Sequence, residues 1–296
     1  MRSGTLPKWL KRNIPKGNAG HLTERLVDEF ALNTVCAHAK CPNRMECYAR
    51  RTATFLILGD VCTRACRFCG VAKGKPGPPD ADEPARVAAA AKKLGLRHVV
   101  VTCVTRDDLP DGGAETFARA IQAIREETGA TVEVLPSDFS GNADALDRVI
   151  DARPDVYNYN TETVTRLYGP VRGLRLDYSW TLETFHRIRQ RGPDIPTKTG
   201  LMLGLGETME EVLRMAAELH DAGCRMITVG QYLRPSADQM EVVRYVPPEE
   251  FDQLGELLHG IGYEQVAAGP FVRSSYRAGE MLQNLRNPQA EASNAS

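Results

Sequence analysis

Gly59-Asp60-Val61-Cys62-Thr63-Arg64-Ala65-Cys66-Arg67-Phe68-Cys69 decides how the rest of this 296-residue chain is read. Its three cysteines follow directly on a β-like run at 53–58. The spacing Cys62-x3-Cys66-x2-Cys69 suits a loop whose sulfurs converge on one object, and thiolates are soft ligands for zinc or iron–sulfur clusters. A closed zinc site, or a cluster held wholly by protein, wants four ligands, and no Cys or His follows shortly after Cys69. Two readings stand. Either a distant residue completes a structural zinc site, or three thiolates hold a four-iron cluster with one iron open to a small molecule.

A second trio lies upstream, Cys36-x4-Cys41-x5-Cys47, again without a fourth local ligand. His38 falls inside it, but a lone loop histidine is more often solvated than ligating, and it is read as solvated here. Two incomplete sites in one chain either pool into a two-metal zinc module or each hold a cluster. Most of the eight cysteines sit in these trios rather than in a disulfide framework, which predicts a reducing, cytoplasmic setting. Cys103 and Cys224 read as small buried hydrophobes.

The downstream trio, with an aromatic at Phe68 before its last cysteine, resembles the cluster motif of radical S-adenosylmethionine (SAM) enzymes. That resemblance implies that SAM chelates the open iron and is split to a 5′-deoxyadenosyl radical. Taken with the upstream trio, the chain resembles the lipoyl synthases from about residue 6 to about residue 279, beginning at Leu6-Pro7-Lys8-Trp9-Leu10-Lys11. The resemblance implies two [4Fe-4S] clusters, the one at Cys36, Cys41 and Cys47 being auxiliary and consumed as the sulfur donor. Its remaining ligand is then a serine of Arg273-Ser274-Ser275-Tyr276, Ser274 being preferred and Ser275 the fallback. Taken alone, two loop serines read as turn residues.

The activity so implied is insertion of two sulfur atoms at carbons 6 and 8 of an octanoyl chain on a protein lysine. Implied partners are octanoylated lipoyl-carrier domains (2-oxoacid dehydrogenase acyltransferase subunits and the glycine cleavage H protein), a ferredoxin or flavodoxin-type reductant, and an iron–sulfur carrier that rebuilds the spent cluster. Another radical SAM sulfurtransferase, such as a biotin synthase-like one, and a zinc-stabilised adaptor without catalysis are the competing readings.

A formal charge of −1 gives no basic footprint for nucleic acid, and no apolar run approaches a membrane span. Arg2, Lys8, Lys11, Arg12 and Lys16 make residues 1–20 basic, while Pro7, Pro15, Gly17 and Gly20 interrupt any long amphipathic helix, so a surface arm is expected. Beyond the cysteines, strand-like runs at 97–101, 131–135, 155–160, 196–203 and 226–232 alternate with helix-like runs at 83–94, 114–128, 142–152, 162–168, 182–191 and 209–222. Such βα repetition implies a parallel sheet, and about six units predict an α/β fold, a partial (βα)6 TIM-like barrel of the radical SAM type. The expected division is 1–52 as a cysteine-rich extension, 53–246 as the barrel, and 247–296 as a C-terminal extension.

Barrel ligands sit at the C-terminal ends of strands. Gly112 and Gly113, after Arg106-Asp107-Asp108-Leu109-Pro110-Asp111, match the family loop that receives the methionine end of SAM, although Asp-Gly-Gly also makes a plain turn. Gly200-Leu201-Met202-Leu203-Gly204-Leu205-Gly206-Glu207 resembles the family element beside the adenosyl group, with Met202 in the place of isoleucine. There Glu207 reads either as a helix cap or as a ligand contact. Asn158, Asn160 and Glu162 resemble an Asn-His-Asn-x-Glu stretch in which Tyr159 replaces the histidine. Lys198 reads as a partner for SAM's carboxylate or for a carboxylate across the barrel. Gln231 and Tyr232 resemble the segment near adenine, and Arg172 is expected near the acyl substrate or its carrier.

Overall fold

Short runs of buried apolar residues recur along the chain at intervals that leave room for one helix, and each becomes a strand covered by the helix after it. The computed structural model describes residues 6–11, 20–173 and 176–287, so Arg2, Arg12 and Lys16 of the basic arm lie outside the described residues. The chain runs α1 (His21–Glu29), β1 (Asn33–Thr34), α2 (Val35–His38), α3 (Arg44–Ala49), β2 (Thr54–Ile57), β3 (Val61–Cys62) and β4 (Ala72–Lys73). There follow α4 (Glu83–Leu94), β5 (His98–Cys103), α5 (Ala114–Thr128), β6 (Thr131–Leu135), α6 (Ala143–Asp151), β7 (Val156–Asn158), α7 (Tyr168–Arg172) and α8 (Tyr178–Arg191). The last elements are β8 (Thr197–Leu203), α9 (Met209–Ala222), β9 (Met226–Gln231), α10 (Pro248–Ile261), β10 (Gln265–Gly269) and α11 (Ala278–Arg286).

One sheet holds eight strands in the order β1-β2-β5-β6-β7-β8-β9-β10. Every pairing from β2 to β10 is parallel, and β1 adds to β2 antiparallel. Parallel strands need crossover connections, and the helices between them lay their apolar faces on the sheet. Phe117, Ile121 and Ile124 of α5 and Phe185 and Ile188 of α8 are buried against Val99, Val101, Val132 and Val134 in one continuous core. The helix ends are set locally. Asn142 accepts from Asp144 N and Ala145 N to start α6, and Thr208 with Glu211 forms a capping box for α9.

Six βα units are present as expected, and the C-terminal segment then supplies β10 as a further parallel strand beside β9. Two local expectations are corrected. The strand at 155–160 is confined to Val156–Asn158, and pairing with β8 returns only as an isolated parallel bridge from Glu162 to Leu201. Glu162 takes a left-handed φ of 68°, so no helix starts at 162. A short 3-10 turn, Thr165–Leu167, leads into α7 instead.

Candidate functional site

The cysteine loop leaves the barrel through a strained turn. Leu58 has φ 69°, and its backbone is gripped at both ends: its N–H donates to Glu83 Oε2 (2.7 Å) and its carbonyl accepts from Arg106 Nη1 (3.2 Å). Gly113 makes room beneath, since a Cβ there would lie 2.2 Å from Leu58 Cδ1, and Gly112 does the same for Phe139 at 2.9 Å. Neither glycine of the pair expected to receive SAM lines the central cavity; Gly112 lies against Phe139, and Gly113 supports the turn that launches the cysteines. Beyond it, Cys62 Sγ accepts from Arg64 N (3.4 Å) and Thr105 N (3.3 Å), as a metal-bound thiolate would. Burial pushes the Cys66 and Cys69 thiols up, Cys69 to about 12, and neighbouring thiols of the same loop add to it. That cost is one a bound cationic metal offsets.

The upstream trio is built on two short helices. Thr34 caps α2, which carries Cys36, and α3 carries Cys47. Burial raises Cys36 and takes Cys47 to about 12, with the other thiols of the trio contributing. His38 is hydrogen-bonded to Asn33 Oδ1 (3.1 Å), and its ring does not line the cavity. Side chains across more than two hundred residues then clasp this loop to the C-terminal segment. Asn43 Nδ2 donates to the Phe271 carbonyl (2.7 Å), Tyr276 Oη donates to Glu46 Oε1 (2.8 Å), and Arg50 pairs with Glu280 (3.0 Å).

As a result both trios, Ser274 and Ser275 line one cavity of about 430 Å³ at the mouth of the barrel. That size suits a small-molecule site. Among the described residues no three His, Cys, Asp or Glu side chains converge tightly enough for a single metal ion. In a four-iron cluster each thiolate bonds a different iron, so its sulfurs stand further apart than around one zinc. The donor set (three thiolates downstream, three thiolates and a hydroxyl upstream) fits two such clusters.

The cavity wall has an apolar side. Phe68, Met202 and Met240 pack with Val171, Leu205 and Tyr232, whose hydroxyl donates to the Met240 carbonyl (2.8 Å). It also has a charged side. Arg64 binds Asp107 and Asp138 with two hydrogen bonds each, and Tyr159 Oη donates to Asp138 Oδ2 (3.0 Å). Burial alone would raise the Asp138 carboxyl, but Arg64, with Arg172 nearby, holds it below the usual carboxylate range. Arg172 lies across the Tyr159 and Tyr168 rings and donates to both hydroxyls (3.1 and 2.7 Å). Tyr159 thus occupies the histidine's place as a hydrogen-bonding bridge. Glu162 also lines the cavity, and burial pushes its carboxyl up.

Three residues read as SAM contacts do not line the cavity, and Lys198 takes the other partner expected for it. Lys198 is fully buried and pairs with Glu133 (2.9 Å), which also accepts from Asn158 Nδ2 (3.0 Å). Lys198 shares the inward face with Met202 but sits at the start of β8, four residues below the mouth, roughly 13 Å along the strand. Its partner is therefore the carboxylate across the barrel floor. Gln231 points away from the cavity, where it donates to the carbonyls of Leu203 and Arg244 (each 3.0 Å) and accepts from Val246 N (2.7 Å). Glu207 accepts from Gly204 N (2.5 Å) and Leu205 N (2.9 Å), which shapes the turn under the apolar wall; the cap of α9 is Thr208, not Glu207. Gly204 is needed there because a Cβ would lie 2.2 Å from Gln231 Nε2.

Cys224 is buried as expected, whereas Cys103 is partly exposed and lines the cavity at the end of β5. Sequence reading missed Arg64 and Asp138. Asp138 follows β6, so the strand-end rule applied there would have found it.

Comparison with known proteins places this architecture. Residues 56–219 match the family model of the radical SAM superfamily. A lipoyl synthase of Rhodopirellula baltica is 55% identical over 95% of this chain and 89% of its own length. One of Caldanaerobacter subterraneus subsp. tengcongensis is 53% identical over 92% and 95%. Among solved structures, SuiB of Streptococcus suis superposes with a TM-score of 0.56 at 11% identity, over 87% of this chain and 56% of that one, a likeness of fold alone.

Proposed function

The chain belongs to the lipoyl synthase family of the radical SAM superfamily, and on that premise we propose that it inserts sulfur at carbons 6 and 8 of an octanoyl chain carried on a protein lysine. The observation that carries this reading is the single cavity onto which both cysteine trios and Ser274 open. When bound, a cluster at Cys62, Cys66 and Cys69 supplies the electron that makes a radical from SAM, and one at Cys36, Cys41, Cys47 and Ser274 supplies sulfur. What the chain itself contributes is placement. Phe68, Met202 and Tyr232 offer an apolar shelf for the adenosyl group, and Arg172, buried at the opposite wall, offers a fixed cation for a carboxylate. The Arg64 pairings hold the cysteine loop against the ends of β5 and β6, so that the two sites keep their separation.

Octanoylated carrier domains are the substrates under this reading, with a low-potential reductant and an iron–sulfur carrier as partners. Anaerobic incubation with SAM, a chemical reductant and an octanoyl-lysyl peptide, followed by mass spectrometry, tests it. The expected product carries two added sulfurs. An unchanged octanoyl chain beside productive SAM cleavage would count against sulfur insertion.

A further inference from the structure

Ser274 is not oriented by its own segment alone. Its Oγ accepts a hydrogen bond from Asn160 Nδ2 (3.2 Å), and the same amide donates to Glu162 Oε1 (3.1 Å). Asn160 is fixed in turn, since its backbone carbonyl accepts from Arg172 Nη1 (2.9 Å). Its side chain has space only because β8 places Gly200 opposite: a Cβ there would lie 2.7 Å from Asn160 Oδ1 and 2.9 Å from Thr228 Oγ1. That Oδ1 is buried without a hydrogen-bond partner. The amide nitrogen bridges Ser274 Oγ and Glu162 Oε1.

We infer that Asn160 is a positioning residue for Ser274, fixing the serine oxygen toward the upstream cysteines; this rests on the reading in which Ser274 completes that site. A hydroxyl oxygen that accepts one hydrogen bond keeps lone-pair capacity for iron. After iron leaves, the same bond keeps a partner for the partly buried serine oxygen. Asn160 therefore belongs with Ser274 in function, although the two stand 114 positions apart in sequence.

The test measures iron release to a ferrous chelator, without SAM, from the full chain carrying Cys62→Ala, Cys66→Ala and Cys69→Ala, so that all bound iron is at the upstream trio. Ser274→Ala is expected to speed release, and Asn160→Ala to speed it about fivefold, the worth of roughly one hydrogen bond. Added to Ser274→Ala, Asn160→Ala is expected to change nothing further, because its effect passes through the serine oxygen. Gly200→Ala, which displaces the amide without removing it, is expected to follow the same pattern and carries the test if Asn160→Ala does not fold. If Ser274→Ala speeds release while Asn160→Ala and Gly200→Ala do not, the positioning role is wrong and the ligand reading stands. An Asn160 effect that persists without the serine oxygen also overturns it. Should Ser274→Ala itself leave release unchanged, the ligand reading falls, and this inference with it.

Discussion

At the scale of single residues, the six clustered cysteines form two trios, and the proposed function assigns them different work. Replacing Cys62, Cys66 or Cys69 by alanine is expected to abolish SAM cleavage, whereas Cys36→Ala, Cys41→Ala or Cys47→Ala should leave it measurable and end sulfur incorporation. Assays of 5′-deoxyadenosine and of product on the same preparations check this, and equal loss of cleavage in both folded sets would refute the division. A second expectation concerns the barrel floor. Lys198 and Glu133 are almost completely buried, so Lys198→Met strands a carboxylate and should cost about 3–5 kcal/mol. Lys198→Met with Glu133→Gln should recover most of that in urea unfolding, because no unpaired charge remains. The cysteines were legible because ligand spacing is written along the chain. For Lys198 the carboxylate across the barrel was one of two legible partners, but the choice between them, like the placement of Gln231, was not legible, because whether a side chain faces the mouth, the floor or the outside depends on strand parity and depth.

Elements were easier to foresee than their ends. Helices with apolar stripes and strands of continuous buried residues announce themselves by period. β10, Gln265-Val266-Ala267-Ala268-Gly269, escaped notice because it lacks a β-branched run, and it pairs as a strand only because β9 presents an open edge. One side chain ties several elements together. Asp155, just before β7, accepts from Val132 N of β6 (3.0 Å), Arg125 of α5 (3.0 Å) and Arg286 of α11 (2.9 Å). Partial burial would raise its carboxyl, but these donors hold it below the ordinary value. A depressed folded-state pKa contributes stability above the unfolded value, about 3.9, and loses it as pH falls through the folded one. Asp155→Asn should therefore destabilise the metal-free, reduced chain at pH 7, and the gap from wild type should close below about pH 4. A gap independent of pH in urea titrations would show that the carboxylate's charge is not what stabilises it.

For the whole molecule, the clasp between residues 43–50 and 271–280 is what holds the upstream cysteine loop to the segment that carries Ser274. Of its contacts, Arg50–Glu280 is half-exposed and worth little, so Asn43 and Tyr276 carry it. Asn43→Ala with Tyr276→Phe should lower iron from about eight toward about four per chain while the downstream cluster's spectrum persists. Loss of both clusters together would mean that the clasp supports the entire fold.

That clasp also imposes an order in time. The contact from Asn43 to Phe271 spans 228 positions, so a growing polypeptide displays Cys36, Cys41 and Cys47 long before the serines that face them have been translated. The loop at Cys62–Cys69, by contrast, lies between β2 and β5, and its Arg64 finds both carboxylate partners, Asp107 and Asp138, within the first half of the chain. On the ribosome the first half-built site is a set of bare thiols, and under the proposed function the oxygen that completes it arrives only near the end of synthesis. Under that reading the upstream trio becomes a complete ligand set in the finished protein and not in the nascent one.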